Sequence, residues 1–183
     1  PGDSRIPSTE PDPKVPGERL SRGQPPTPRE QQVLRIKIEG GNPDPQPVGL
    51  DKQESYSNYF LGNDPAKWRS NVAHFKKACF KEVYPGIDMI YYGNQGQLEF
   101  DFVVAPTADP NQICLNIEGA RKVCLDEEGN LVLKLDGGDV IQRTPLVYQK
   151  EEDGQRTVLS GSYVLFADNH VGFQVAHYDP QRP

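Results

Sequence analysis

The spacing of its turn signals constrains this chain most. From residue 84 onward, YPG (84–86), GNQG (93–96), DEEGN (126–130), DGGD (136–139), EEDGQ (151–155) and ADNH (167–170) punctuate short runs of alternating apolar and polar residues. Gly, Asn and Asp supply the backbone conformations that tight turns need, and alternation puts successive side chains on opposite faces of a strand. The runs fall near 74–82, 87–92, 97–105, 112–117, 122–126, 131–136, 145–150, 157–166 and 171–177. Earlier ones lie at Val33–Ile38 and, shorter, at Ser57–Leu61. No 3.6-residue period follows Trp68. A single helical turn is expected near 64–69, where Asn63 or Asp64 can cap and Pro65 suits the first helical position. Trp68, the only Trp, is expected to anchor that loop from beneath. Short strands at this spacing predict an all-β fold, an antiparallel β-sandwich with a barrel-like arrangement as the alternative.

The first thirty residues have a different texture. They carry many of the 18 prolines and almost no large apolar side chains. Such a segment buries too little surface to offset its ordering entropy, so residues 1–30 read as a linker or arm and residues 31–183 as a single β-sandwich domain. Pro25, Pro26 and Pro28 form a PPxP piece that suits a polyproline ligand, although a plain spacer explains it as well.

Charge narrows the function classes. The formal net charge is −6 and the pI about 5.1, against the basic field that a nucleic-acid partner or an anionic membrane surface would require. No stretch approaches the roughly 20 apolar residues of a spanning helix. Three Cys and three His, with no Cys-x-x-Cys and no His-x-x-x-His, leave little for zinc. There is no G-x-S-x-G elbow and no Gly-rich loop opening a helix, so serine-hydrolase and phosphate-cradle signatures are both missing. No cofactor is implied, Ca²⁺ excepted.

The run VYPGIDMIYYGNQGQLEFDF (83–102) reads as a hairpin about Asn94-Gln95. That centre pairs Tyr92 with Gln97, Tyr91 with Leu98, Met89 with Phe100 and Ile87 with Phe102, and the last three pairs put an apolar set on one face. The other face then sets Asp88 directly against Asp101, with Glu99 about 6.5–7 Å along the same strand. Opposed like charges cost roughly 0.2–1 kcal/mol on a sheet surface, so a cation is expected among them. Arg69, Lys76 or Lys81 could supply it. The alternatives are a Ca²⁺ site built on Asp88, Asp101 and Glu99, or a catalytic carboxylate pair of the glycoside-hydrolase kind. Cys114 and Cys124 flank the short turn at EGA (118–120). A hairpin centred on Gly119 would bring them opposite each other at a separation a disulfide can span, leaving Cys79 as a packed thiol.

Several longer runs carry a resemblance. NYFLGNDPAKWRSNV (58–72) and VYPGIDMIYYGNQGQLEFDFVVAPTADP (83–110), with DEEGNLVL (126–133), TPLVYQ (144–149), GSYVLF (161–166) and VGFQVAHYDPQRP (171–183), resemble a bacterial domain of unknown function. In that family the domain precedes β-propeller repeats of the SBBP type in large secreted or surface proteins. The likeness covers roughly residues 33 to 183, and the terminal YDPQRP resembles the passage into the first propeller repeat. Two features depart from it: a proline-rich arm stands where the family carries a further β segment, and cysteines stand at 114 and 124 where charged residues are expected. The resemblance implies a β-rich fold, a bacterial secreted or cell-envelope location, and the propeller repeats of the same parent chain as packing partners. It supplies no catalytic residues.

The reading that follows is a non-enzymatic structural or interaction β-module that packs ahead of a β-propeller and could take a protein or glycan ligand. The first alternative is a carbohydrate-binding or glycoside-processing module using outer-face tyrosines and the carboxylates of Asp88, Asp101 and Glu99. The second is a Ca²⁺-stabilised adhesion module at the same carboxylates.

Overall fold

The computed structural model describes residues 32–151 and 153–182, and the proline-rich arm read at 1–30 lies outside them. Among the described residues the strands, in chain order, are Arg35–Ile38 (β1), Pro47–Tyr59 (β2), Arg69–Tyr84 (β3), Ile87–Asn94 (β4), Gln97–Val104 (β5), Cys114–Glu118 (β6), Lys122–Leu125 (β7), Leu131–Leu135 (β8), Gly138–Gln142 (β9), Val147–Lys150 (β10), Arg156–Leu159 (β11), Gly161–Leu165 (β12) and His170–Val175 (β13). Helix is confined to single 3₁₀ turns at Pro65–Lys67 and Pro110–Gln112. Each is opened by an aspartate whose side chain accepts the N–H two residues on, Ala66 for Asp64 and Asn111 for Asp109, with Pro in the first position where no donor is needed. The fold is all-β, as the turn spacing predicts.

The strands form antiparallel sheets in the orders β2-β3-β4-β5, β1-β6-β13-β12 and β7-β8-β9, plus the separate hairpin β10-β11. Every sheet ends in free edges, so the architecture is a sandwich of open sheets and not a closed barrel. Alternation explains the core. Leu115 and Ile117 of β6, Leu131 and Leu133 of β8, Tyr163 of β12 and Val171 of β13 make one buried cluster. Val83, Tyr84, Ile87, Met89 and Ile113 make a second. Phe100, Phe102, Phe173 and Ile38 pack against both. An aromatic series runs through this contact, Phe80–Tyr91–Phe100–Phe102–Phe173–Tyr163, with successive ring centroids 5.5–5.9 Å apart. Tilted and edge-on pairs at that distance add to plain burial.

Two buried polar groups tie the layers. The Tyr84 hydroxyl donates to Glu39 O at 2.7 Å and accepts the Cys114 N–H at 3.1 Å, joining the ends of β1, β3 and β6. Asn130, in the DEEGN turn, donates to the Asp126 carboxylate and accepts from Thr144 N, so its burial carries no unmet hydrogen bond.

The structure differs from the sequence reading in several places. β2 begins at Pro47, well before the short strand read at Ser57–Leu61, and β9 has no counterpart among the runs read from the sequence. Pro47 stands on an edge strand, where the missing N–H breaks no ladder. The run at 157–166 divides at Ser160 into β11 and β12, which belong to different sheets. Trp68 does not lie beneath its loop. It is 40% exposed, packs edge-on to Phe60 at 5.2 Å and donates from Nε1 to Gly62 O.

Candidate functional site

The β4–β5 hairpin turns on Gln95 (φ 48°) and Gly96 (φ 81°), and Asn94 pairs with Gln97. Two left-handed residues make this a type I′ turn, whose second position suits Gly. The centre therefore lies one residue beyond Asn94-Gln95, and each residue meets a partner two places further on: Tyr91 faces Phe100, Met89 faces Phe102 and Ile87 faces Val104. A two-residue shift keeps the faces, so the inward apolar set survives. The opposition of Asp88 and Asp101 does not. Asp88 stands across from Val103, and Asp101 across from Ile90.

Each carboxylate has its own donor. Lys81 Nζ donates to Asp88 Oδ2 at 2.6 Å and the Glu82 N–H donates to Oδ1 at 2.9 Å. Glu82 sits at φ 48° in an irregular stretch of β3 between Phe80 and Tyr84, and this presents its N–H to the aspartate. Partial burial pushes the Asp88 carboxyl up, but the Lys81 hydrogen bond, the Glu82 N–H and the Lys81 charge together outweigh it and hold it below the usual carboxylate range. Lys81 is raised in turn, first by that hydrogen bond and then by the aspartate's charge. Tyr92 donates to Asp101 Oδ1 at 3.0 Å, and Asn94 Nδ2 donates to Glu99 at 2.8 Å. Burial, then the bond to Asp101, pushes the Tyr92 phenol up.

Of the three cations considered for this face, the structure uses Lys81. It does not gather Asp88, Asp101 and Glu99 into a ligand set. Among the described residues no three His, Cys, Asp or Glu side chains are grouped to hold a metal ion. A Ca²⁺ ion takes six to eight oxygens, whereas these carboxylates are distributed among Lys, Tyr and Asn donors.

The disulfide read between Cys114 and Cys124 is also corrected: both are free thiols, as is Cys79. Cys114 pairs across to Gly172 in β13, whereas Cys124 pairs with Val132 in β8, in another sheet. The EGA segment is a crossover between sheets. Gly119 takes φ 89° there, and a Cβ at this position would fall only 2.1 Å from Val33 O. Hairpin geometry is thereby lost.

What sequence reading missed is a ribbon. β4 pairs with β3 from Lys77 to Tyr84, while β2 and β3 continue together to Tyr59–Arg69. Residues 50–59 and 69–76 therefore extend as two strands past the four-stranded sheet. Their rings face solvent: Tyr56 is 61% exposed, Tyr59 48% and Phe75 46%. An open groove of about 490 Å³ along this ribbon is lined by Tyr59, His74, Phe75, Lys76, Lys77 and Tyr92, among others. Lys77 Nζ lies 5.4 Å above the Tyr92 ring. His74 bridges two hydroxyls, Ser57 Oγ at 2.7 Å from Nε2 and Ser55 Oγ at 3.0 Å from Nδ1. The second nitrogen meets a hydroxyl and not a carboxylate, so the arrangement lacks the charged orienting group of a catalytic triad. The only sequence signal for the ribbon was the cluster of Tyr and Phe at 56–60, set in otherwise polar strands.

The described residues thus form a β-sandwich module with its hairpin carboxylates internally bonded and its exposed rings gathered on one ribbon. The chain belongs to the family described as Domain of unknown function (DUF7948), which it matches over residues 7–183. That match begins inside the proline-rich segment. No curated protein and no solved structure matches the chain. Among the described residues no helix is long and apolar enough to cross a membrane.

Proposed function

We propose that this chain is a non-enzymatic interaction module of a secreted or surface bacterial protein, packing ahead of β-propeller repeats in the same parent chain. The observation that supports it is the β2–β3 ribbon, whose large side chains stay exposed while the core is built elsewhere. Contiguous apolar surface left uncovered on a folded module is a mark of a binding face. The C-terminal tail fits a packing role. Gln149 of β10 accepts the Asp179 N–H and donates to Asp179 O, Thr107 N donates to Pro180 O, and Arg182 pairs with Glu151. A chain leaving the domain here departs in a fixed direction.

The test is to read the parent reading frame past residue 183 and to fractionate cells that express it. Propeller repeats downstream and a product outside the cytoplasm are expected. A frame without repeats overturns the propeller context, and a cytoplasmic product overturns the surface location. A second reading, carbohydrate binding, is favoured by the tyrosine-lined groove and moves the sugar site from the hairpin carboxylates to the ribbon.

A further inference from the structure

β3 and the turn before it are basic where the chain is acidic, while the facing strand β2 carries Asp51, Lys52 and Glu54. Residues 65–81 carry Lys67, Arg69, Lys76, Lys77 and Lys81 and no carboxylate, in a protein of net charge −6. Three of these cations are paired, Lys67 with Asp64, Lys77 with Asp51 and Lys81 with Asp88. Arg69 and Lys76 form no ion pair among the described residues. Lys76 lines the groove, and Arg69 sits across from Tyr59, whose ring lines it too. Of the acids around the groove, Asp51 pairs with Lys77, and Glu99 and Asp101 beside Tyr92 accept from Asn94 and Tyr92. The groove thus offers exposed ring faces with unpaired cations next to them.

From this juxtaposition we infer that the β2–β3 groove binds an acidic polysaccharide, a chain of uronate-bearing sugars. Each ring face accommodates the apolar face of a sugar, and Arg69 and Lys76 take carboxylates through charge-assisted hydrogen bonds. A polymer with one carboxylate per sugar needs few cations. Nucleic acid needs a broad basic footprint that an acidic domain does not give. The groove is open and not enclosed, which suits a polymer that continues past the site. The inference rests on the carbohydrate reading above and names the polymer's charge.

The experiment is affinity electrophoresis of the whole chain through gels containing polygalacturonate, a neutral galactan or single-stranded DNA, repeated with variants. Retardation by polygalacturonate at low salt is expected, with little by galactan. Tyr59→Ala and Lys76→Glu should each weaken it at least about tenfold with unchanged thermal melting. Lys76→Arg should preserve it, and so should Lys122→Glu on distant β7. Equal retardation by galactan overturns the acidic specificity while leaving carbohydrate binding standing. Retardation by neither glycan overturns both. Stronger retardation by DNA, or polygalacturonate binding that neither groove variant weakens, also overturns the inference.

Discussion

Lys81 and the Glu82 N–H reach Asp88 only because β3 departs from regular pairing just there, with Glu82 at φ 48°. The aspartate's carboxyl is lowered from its ordinary 3.8, so its contribution to stability is complete above about pH 4 and fades as the pH falls through the lowered value. Asp88→Asn should cost about 1 kcal/mol at neutral pH in urea unfolding, with the difference from wild type shrinking in acid. A difference independent of pH would contradict the pairing. Millimolar Ca²⁺ against EDTA should leave the melting temperature of wild type unchanged, whereas a rise abolished by Asp88→Asn would establish the metal site instead. Tyr163 has the opposite sign. Burial pushes its phenol up to about 12 from 10.0, and its hydroxyl donates to Arg143 O at 2.8 Å. Its contribution is whole below pH 10 and is lost as the pH climbs through about 12. Tyr163→Phe should therefore lose about 1 kcal/mol at neutral pH and show a shallower fall in stability across that alkaline window, read by denaturant melts at fixed pH. A cation near Asp88 was expected from the sequence on the strength of an opposition to Asp101 that the register does not make. Which lysine would serve was not legible, since it depends on a backbone irregularity that no residue type announces.

The β4–β5 hairpin separates what local pattern determines from what it leaves open. Alternation assigns Ile87, Met89, Tyr91, Phe100 and Phe102 to the inner face under either register. The turn chemistry alone distinguishes the registers, and it does so through Gly96 at φ 81°. Gln95 occupies the other left-handed position, where Asn is better suited. Gln95→Asn should stabilise the domain by roughly 0.5 kcal/mol, whereas Gly96→Val should cost more than about 1 kcal/mol, both measured by denaturant midpoint. Equal effects of the two changes would point to a different turn. Between β6 and β7 the local pattern misleads. EGA resembles a hairpin loop, yet β6 finds its partners in β1 and β13, more than 50 residues away on either side. Long-range pairing of this kind leaves no trace in a window of ten residues. Peptide mapping without reductant should therefore find Cys114 and Cys124 as separate thiol peptides, and a linked pair would contradict the sheet assignment.

At the scale of the molecule, stability and recognition occupy different places. The two core clusters meet at Phe100, Phe102 and Phe173, while the ribbon at 50–59 and 69–76 contributes no fully buried side chain. Sequence reading assigned the all-β class because turn spacing is a property of the whole chain. It missed the ribbon because PVGLDKQESYSNY starts at proline and has a polar run, DKQES, at its centre, the texture of a loop. An edge strand shares its burden with one neighbour only, so it needs no apolar alternation. If the ribbon's rings serve a partner, they are dispensable for folding. The decisive measurement is the thermal melt of Tyr56→Thr/Tyr59→Thr, substitutions that keep strand propensity while removing both rings. A melting temperature within about 3 °C of wild type is predicted, since 1 kcal/mol moves a domain of this size by roughly 2–4 °C. A fall of more than about 8 °C would show that the rings hold the fold together, and would contradict an interaction surface there.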